Sequence, residues 1–165
     1  MKDEIKQLTE EYLEHANKED LEILKSALQG LRKKQTTPTT YLGGLLHMER
    51  TMTKESCEIT IPINQLLDNS LGIVHGGITA TLLDTAMGSL ANYILPEGYG
   101  AVTSQLNIYY LATGQGDYLS CKAKIDHQGK KTMVISADVF RSDGRKIAQA
   151  SGIFFIIEKN PKYRG

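Results

Sequence analysis

The sequence carries no excess charge of either sign, because 19 Lys and Arg balance 19 Asp and Glu across its 165 residues. A protein that grips nucleic acid irrespective of sequence needs surplus cations to neutralise phosphates, so nucleic acid is not an expected partner. A small anionic ligand is still compatible, since it needs only a few local charges. No apolar run approaches the ~20 residues that span a bilayer, and the opening MKDEIKQLTEEYLEH has no apolar signal-peptide core. Cytoplasmic location without membrane attachment is the expectation. The two cysteines, Cys57 and Cys121, fall in separate strand-like segments. They read as buried small hydrophobes, reduced in the cytosol, rather than as a disulfide. No G-x-S-x-G elbow, H-E-x-x-H, C-x-x-C or Walker loop occurs. His15, His47 and His127 lie in unrelated segments without metal-ligand spacing, so neither metal nor cofactor is expected. Gly114-Gln115-Gly116 lacks the third glycine of a dinucleotide loop and reads as a turn.

What is present divides by periodicity. Residues 1–35 repeat apolar side chains at helical spacing: Ile5, Leu8, Tyr12 and Ala16, then Leu21, Leu24, Leu28 and Leu31. Asn17-Lys18-Glu19-Asp20 looks like a cap followed by an acidic first turn, which predicts two helices rather than one. The Thr- and Pro-rich stretch from Gln35 to Thr40 is a linker. Beyond it the pattern alternates. Leu46, Met48, Arg50 and Met52 mark a first strand, and Cys57, Ile59, Ile61 and Ile63 a second. Pro62, which has no N–H to give a ladder, belongs at a sheet edge or strand end.

One strong helix follows from about His75 to Leu95. Ala80, Leu83, Met87, Leu90, Ala91 and Ile94 keep its 3.6-residue period, and Pro96 and Gly98 end it. Four more alternating segments occupy about 101–112, 117–127, 131–141 and 145–157. Gly129 and Ser142-Asp143-Gly144 give the last three of them hairpin junctions. The fold class is α+β, an antiparallel sheet around one central helix, and pattern alone does not yield its strand order.

The chemistry concentrates where that helix begins, in Asn69-Ser70-Leu71-Gly72-Ile73-Val74-His75-Gly76-Gly77 and then Asp84. Glycine is a poor helix former by ~1 kcal/mol, so adjacent Gly76 and Gly77 imply a close approach to the backbone. The first amides of a helix lack intrahelical partners and lie at the positive end of its dipole. They could polarise a carbonyl oxygen as an oxyanion hole. A tight loop-to-helix turn fits the glycines equally well. Asp84 adds to the first reading. On a helical wheel it lies about 40° from Ala80, at the edge of the apolar stripe, and it is too far along to cap the helix. A carboxylate there is costly unless paired or needed. His75 has a helical angle pointing away from Asp84, so it is expected to cap or orient the loop rather than form a dyad. Asn69 either fixes a turn or supplies a second donor to a ligand.

The string from Asn69 to Asp84 resembles the phenylacetate-degradation-type family of hot-dog thioesterases, whose pattern is matched by Asn69, Gly72, His75, Gly76, Gly77 and Asp84. The strand Val102-Thr103-Ser104-Gln105-Leu106-Asn107-Ile108-Tyr109-Tyr110-Leu111 and the segment Asp143–Gly152 also look like that family. The resemblance spans residues 43–157 and leaves 1–35 as an N-terminal helical extension. It implies a hot-dog homo-oligomer, a dimer or dimer of dimers, that hydrolyses acyl-CoA at the subunit interface. Asp84 would be base or nucleophile, Gly76 with Asn69 would polarise the thioester carbonyl, and Thr103, or neighbouring Ser104, would place the carboxylate or the water. His75, Gly77 and Ser104 would lie against the substrate. Where relatives carry Arg-Pro-Ala, this chain has Ala112-Thr113-Gly114, so a basic contact near the CoA is missing. Arg141, Arg145, Lys146 or Lys130 could replace it. An acyl-CoA-binding regulator on the same fold is the alternative. Its DNA-binding module would have to be residues 1–34, whose seven Lys or Arg against eight Asp or Glu suit DNA poorly. A hydratase is a weaker rival, because His75 and Asp84 are out of phase.

Overall fold

The structure, a computed structural model, describes residues 1–159. Its elements are α1 (Lys2–His15), α2 (Lys18–Thr36), α3 (Tyr41–Leu45), β1 (Glu49–Met52), β2 (Ser56–Pro62), α4 (Gly76–Ile94), β3 (Tyr99–Tyr110), β4 (Tyr118–Gln128), β5 (Thr132–Arg141) and β6 (Lys146–Glu158). They fall into two compact units, residues 1–47 with 64–66, and residues 48–63 with 67 onward. Among the described residues no helix is long and apolar enough to cross a membrane.

In the first unit the expected break between two helices is a capping box. The Asn17 side chain accepts the Asp20 N–H at 3.0 Å, and the Asp20 carboxylate accepts the Asn17 N–H at 3.0 Å. Helix α2 meets α3 through Gly30 and Gly44, which are so close that a Cβ on either would collide with the other's carbonyl. Short α3 was not expected. Thr40 caps it by accepting the Gly43 N–H at 3.0 Å, and the chain leaves it through a left-handed residue, His47, at φ 49°. The first strand therefore begins at Glu49, not Leu46.

The second unit is a six-stranded sheet in the order β1-β2-β4-β5-β6-β3, antiparallel throughout. Alternation makes one face of it apolar. Cys57, Ile59 and Ile61 of β2, Leu119 and Cys121 of β4, and Ile135 and Val139 of β5 are all fully buried. Helix α4 lies on that face with Leu82, Leu83, Ala86, Met87, Leu90 and Ala91 inward. Each large side chain so buried contributes roughly 1.5–3 kcal/mol relative to exposure. The buried stripe is wider than the periodicity of the large residues suggested, and its centre is displaced toward Ala86 by about 45° at 100° per residue. Asp84 consequently stands on the flank of α4 and is half-buried.

The β4–β5 and β5–β6 hairpins occur where expected. Pro62 ends β2 opposite Tyr118 of β4, beyond the last β1 partner at Thr60, so its missing N–H leaves no gap toward β1. Strand β3 occupies the far edge, bound only to β6 among the described residues. Its ladder slips between Thr103 and Gln105, leaving Ser104 as a bulge. After β3 the Leu111 and Ala112 amides donate to the Ile147 carbonyl, at 2.8 and 3.2 Å, and Val74 N–H donates to Gly114 at 2.9 Å. These bonds tie the loop before α4 to the ends of β3 and β6.

Candidate active site

The loop into α4 is built around Asn69. Its side-chain oxygen accepts the Leu71 N–H at 2.8 Å, and its carbonyl accepts the Gly72 N–H at 3.0 Å. Gly72 closes the turn at φ +67°, a backbone region that favours glycine. Asn69 is thus a turn-maker. Its side-chain nitrogen has no hydrogen-bond acceptor among the described residues, and the residue lines a pocket of about 370 Å³ with Ile73, Gly76, Thr79, Tyr110 and Ile147.

At the start of α4 the orphan amides are nearly all accounted for. His75 is the N-cap, and its Nδ1 accepts the Gly77 N–H at 2.8 Å. Nδ1 is therefore the acceptor of the neutral ring and Nε2 carries the proton. The Ile78 and Thr79 amides donate to the His75 carbonyl, at 2.9 and 3.3 Å. Among the described residues the Gly76 N–H has no acceptor, and it is the helix-terminal donor left at the pocket. The Tyr110 hydroxyl donates to the Gly76 carbonyl at 3.0 Å, and its ring lies 3.5 Å from where a Cβ on Gly76 would sit. That pins the glycine without consuming its N–H.

Asp84 lies elsewhere on the same helix. Thr103 Oγ1 donates to its Oδ1 at 2.7 Å, and the bulge at Ser104 changes the ladder register immediately after Thr103. Eight residues of helix separate Asp84 from Gly76, a rise of about 12 Å. Within one chain the structure therefore joins Asn69, His75, Gly76 and Gly77 as one group and Asp84 with Thr103 and Ser104 as another. It does not bring the groups together. The Gly77 N–H is spent on His75 Nδ1, and Ser104 is exposed. Tyr110 and Thr79 escaped the sequence reading. The signal for Tyr110 was available in its parity with Leu106 and Ile108 beyond the bulge. Thr79 is buried in the helix beneath the pocket and carries no sequence signal of its own. Among the described residues no three His, Cys, Asp or Glu side chains gather to hold a metal ion.

Residues 71–148 match the thioesterase superfamily model. A putative esterase of Halobacterium salinarum is 33% identical over 107 residues, 58% of this chain and 70% of that protein. The chain belongs to the thioesterase superfamily. It is a thioester hydrolase of the PaaI-like kind with the hot-dog fold. The acyl-coenzyme A thioesterase PaaI of Escherichia coli is 30% identical over 57% of this chain and 66% of its own length. A Bacillus halodurans protein crystallised with CoA superposes with a TM-score of 0.84 at 43% identity, covering 90% of this chain and 99% of that one.

Proposed function

We propose that this thioesterase hydrolyses fatty or aromatic acyl-CoA to the free acid and CoA, at sites each assembled from two copies of the chain. The observation that carries the reading is the unpartnered Gly76 N–H at the positive end of α4, opening on a pocket, in a protein that also holds a carboxylate oriented by a threonine hydroxyl. Hydrolysis of a thioester needs an electrophile clamp and a base or nucleophile. Gly76, with the Asn69 side-chain nitrogen, is the clamp. Asp84 activates water or attacks directly, and Thr103 fixes the rotamer of its carboxylate. CoA leaves as the thiol, and water supplies the hydroxyl of the acid.

The rise of about 12 Å between Gly76 and Asp84 is too long for one thioester carbon to meet both from the same helix. A second copy resolves this, with Asp84 of one chain serving the clamp of the other. Strand β3 favours the pairing. It is a 12-residue edge strand, exposing Val102 and Tyr109 at 47% and 62%. Unpaired edges of that length are ordinarily covered. The assembly is a homodimer or a dimer of dimers. Two buried free thiols, Cys57 and Cys121, suit a reducing compartment, and we place the protein in the cytoplasm.

The test is free-thiol release from short, medium, long and aromatic acyl-CoAs, wild type against Asp84→Asn, with sedimentation at assay concentration. The wild type turns over at least one class as an oligomer. The Asn variant keeps its fold and loses about 10²–10⁴-fold in rate. Near-native turnover by Asp84→Asn, or full activity in a monomer, would refute the reading.

A further inference from the structure

Acyl-CoA ends in a pyrophosphate and a ribose phosphate, and the loop after β3 offers them no cation, since it reads Ala112-Thr113-Gly114. The structure narrows the candidates for that role by place and by pairing. Lys130 and Lys131 sit in the β4–β5 turn, at the opposite end of β5 from the Gly76 pocket. Ten residues of strand put that turn roughly 33 Å from Arg141. Lys54, Lys124 and Lys159 also lie toward that far end, where β2 and α4 respectively begin and finish.

At the near end three cations share the β5–β6 turn, and two are already engaged. Arg141 is nearly buried and grips Asp143 with two nitrogens, one of them Nε at 3.1 Å from Oδ1. The Arg141 hydrogen bond and then the Arg145 backbone N–H hold the Asp143 carboxyl down to about 2, so this pair stays ionised across the working range. Lys146 is 2.8 Å from Asp138 and leans over the Phe140 ring. Arg145 differs. Its backbone N–H is fixed by Asp143 at 3.0 Å, while its guanidinium has no ion pair or side-chain hydrogen bond among the described residues and is exposed. It precedes pocket-lining Ile147 by two residues, and Ala148, the β6 partner of Tyr110, by three, about 10 Å of strand.

We propose that Arg145 is the residue that binds a phosphate of the nucleotide end of CoA, and so selects CoA thioesters over phosphate-free ones. The proposal rests on the acyl-CoA reading above. Asp143 presets the turn so that the guanidinium is presented without further ordering of the backbone, and a guanidinium can hold a phosphate with two parallel N–H bonds.

The experiment compares wild type, Arg145→Gln and Arg145→Lys on acyl-CoA, acyl-dephospho-CoA and acyl-pantetheine, and measures binding of free CoA by calorimetry. Arg145→Gln is expected to lower kcat/KM for acyl-CoA about 3–10-fold, mainly through KM. It should weaken CoA binding to the same degree and leave acyl-pantetheine unaffected, while Arg145→Lys, which keeps the charge without the two parallel N–H bonds, restores only part of the loss. Persistence of the defect on acyl-dephospho-CoA assigns the contact to the pyrophosphate, and its disappearance assigns it to the ribose phosphate. Unchanged CoA binding in Arg145→Gln, or an equal loss on acyl-pantetheine, overturns the proposal. Because CoA binding is read without turnover, a wild type inactive on acyl-CoA would sink the catalytic reading while this assignment is still decided.

Discussion

Gly76→Pro tests the clamp by replacing its amide hydrogen with a ring carbon. The Gly76 N–H makes no hydrogen bond among the described residues, so proline deletes no bond that holds the resting fold. The position is the first of α4, where proline is well tolerated because its N–H would be an orphan anyway. The preceding residue accepts it too. His75 already has φ −59° and ψ 135°, inside the extended region to which a following proline restricts its neighbour. A Cβ at Gly76 would sit 3.5 Å from the Tyr110 ring, an ordinary contact. The variant should therefore fold and assemble like wild type. If the amide stabilises the oxyanion only in the transition state, its loss costs about 2.7–4 kcal/mol in the barrier, a 10²–10³-fold fall in kcat. Binding of a non-hydrolysable acyl-CoA analogue should change little. Gly76→Ala keeps the N–H, shares the proline's Cβ without the rest of its ring, and should retain most of the rate. Circular dichroism and sedimentation establish folding, and thiol release gives kcat. A folded Gly76→Pro with unchanged kcat refutes the clamp, and an equal fall in Gly76→Ala would show that bulk, not the donor, was responsible.

Thr103→Val preserves shape but removes the donor 2.7 Å from Asp84. It should slow turnover about 2–10-fold, the worth of a half-exposed hydrogen bond, and Thr103→Ser should recover it in the thiol-release assay. Tyr110→Phe removes the hydroxyl that holds the Gly76 carbonyl. It should lower kcat by a few-fold, in line with ~0.5–1.5 kcal/mol, with KM nearly constant; a rise in KM alone would contradict a positioning role.

The central helix and most of the strands were legible because burial imposes its period on them. Ala80 to Ile94 repeats at 3.6, and Cys57 to Ile61 at 2. The order of strands was not, because the connection from Tyr110 to Tyr118 passes β6 and β5 to reach interior strand β4 without any apolar pattern. Helix α3 escaped notice because its five residues include two poor helix formers, Gly43 and Gly44, the second packed against Gly30. The phase of α4 was misjudged because a stripe anchored on Ala80 leaves out Thr79, Leu82 and Ala86, all of them buried. His75 was assigned to capping from its angle alone, and its Nδ1 makes that bond. What angle alone does not give is that the capped amide is Gly77, which leaves Gly76 as the open donor.

The span between Gly76 and Asp84 is set by the pitch of one rigid helix, and this has a bearing on how defects combine. If each site borrows its carboxylate from a neighbour, a lesion at Gly76 and a lesion at Asp84 damage different halves of the site. Two inactive proteins, one carrying each change, would then rescue one another when their subunits exchange. A mixed dimer keeps one site with both intact halves, and random reassortment of equal amounts would return about a quarter of wild-type activity. Inactivation would behave as a property of the pair, and the helix rise would be legible in the arithmetic of complementation.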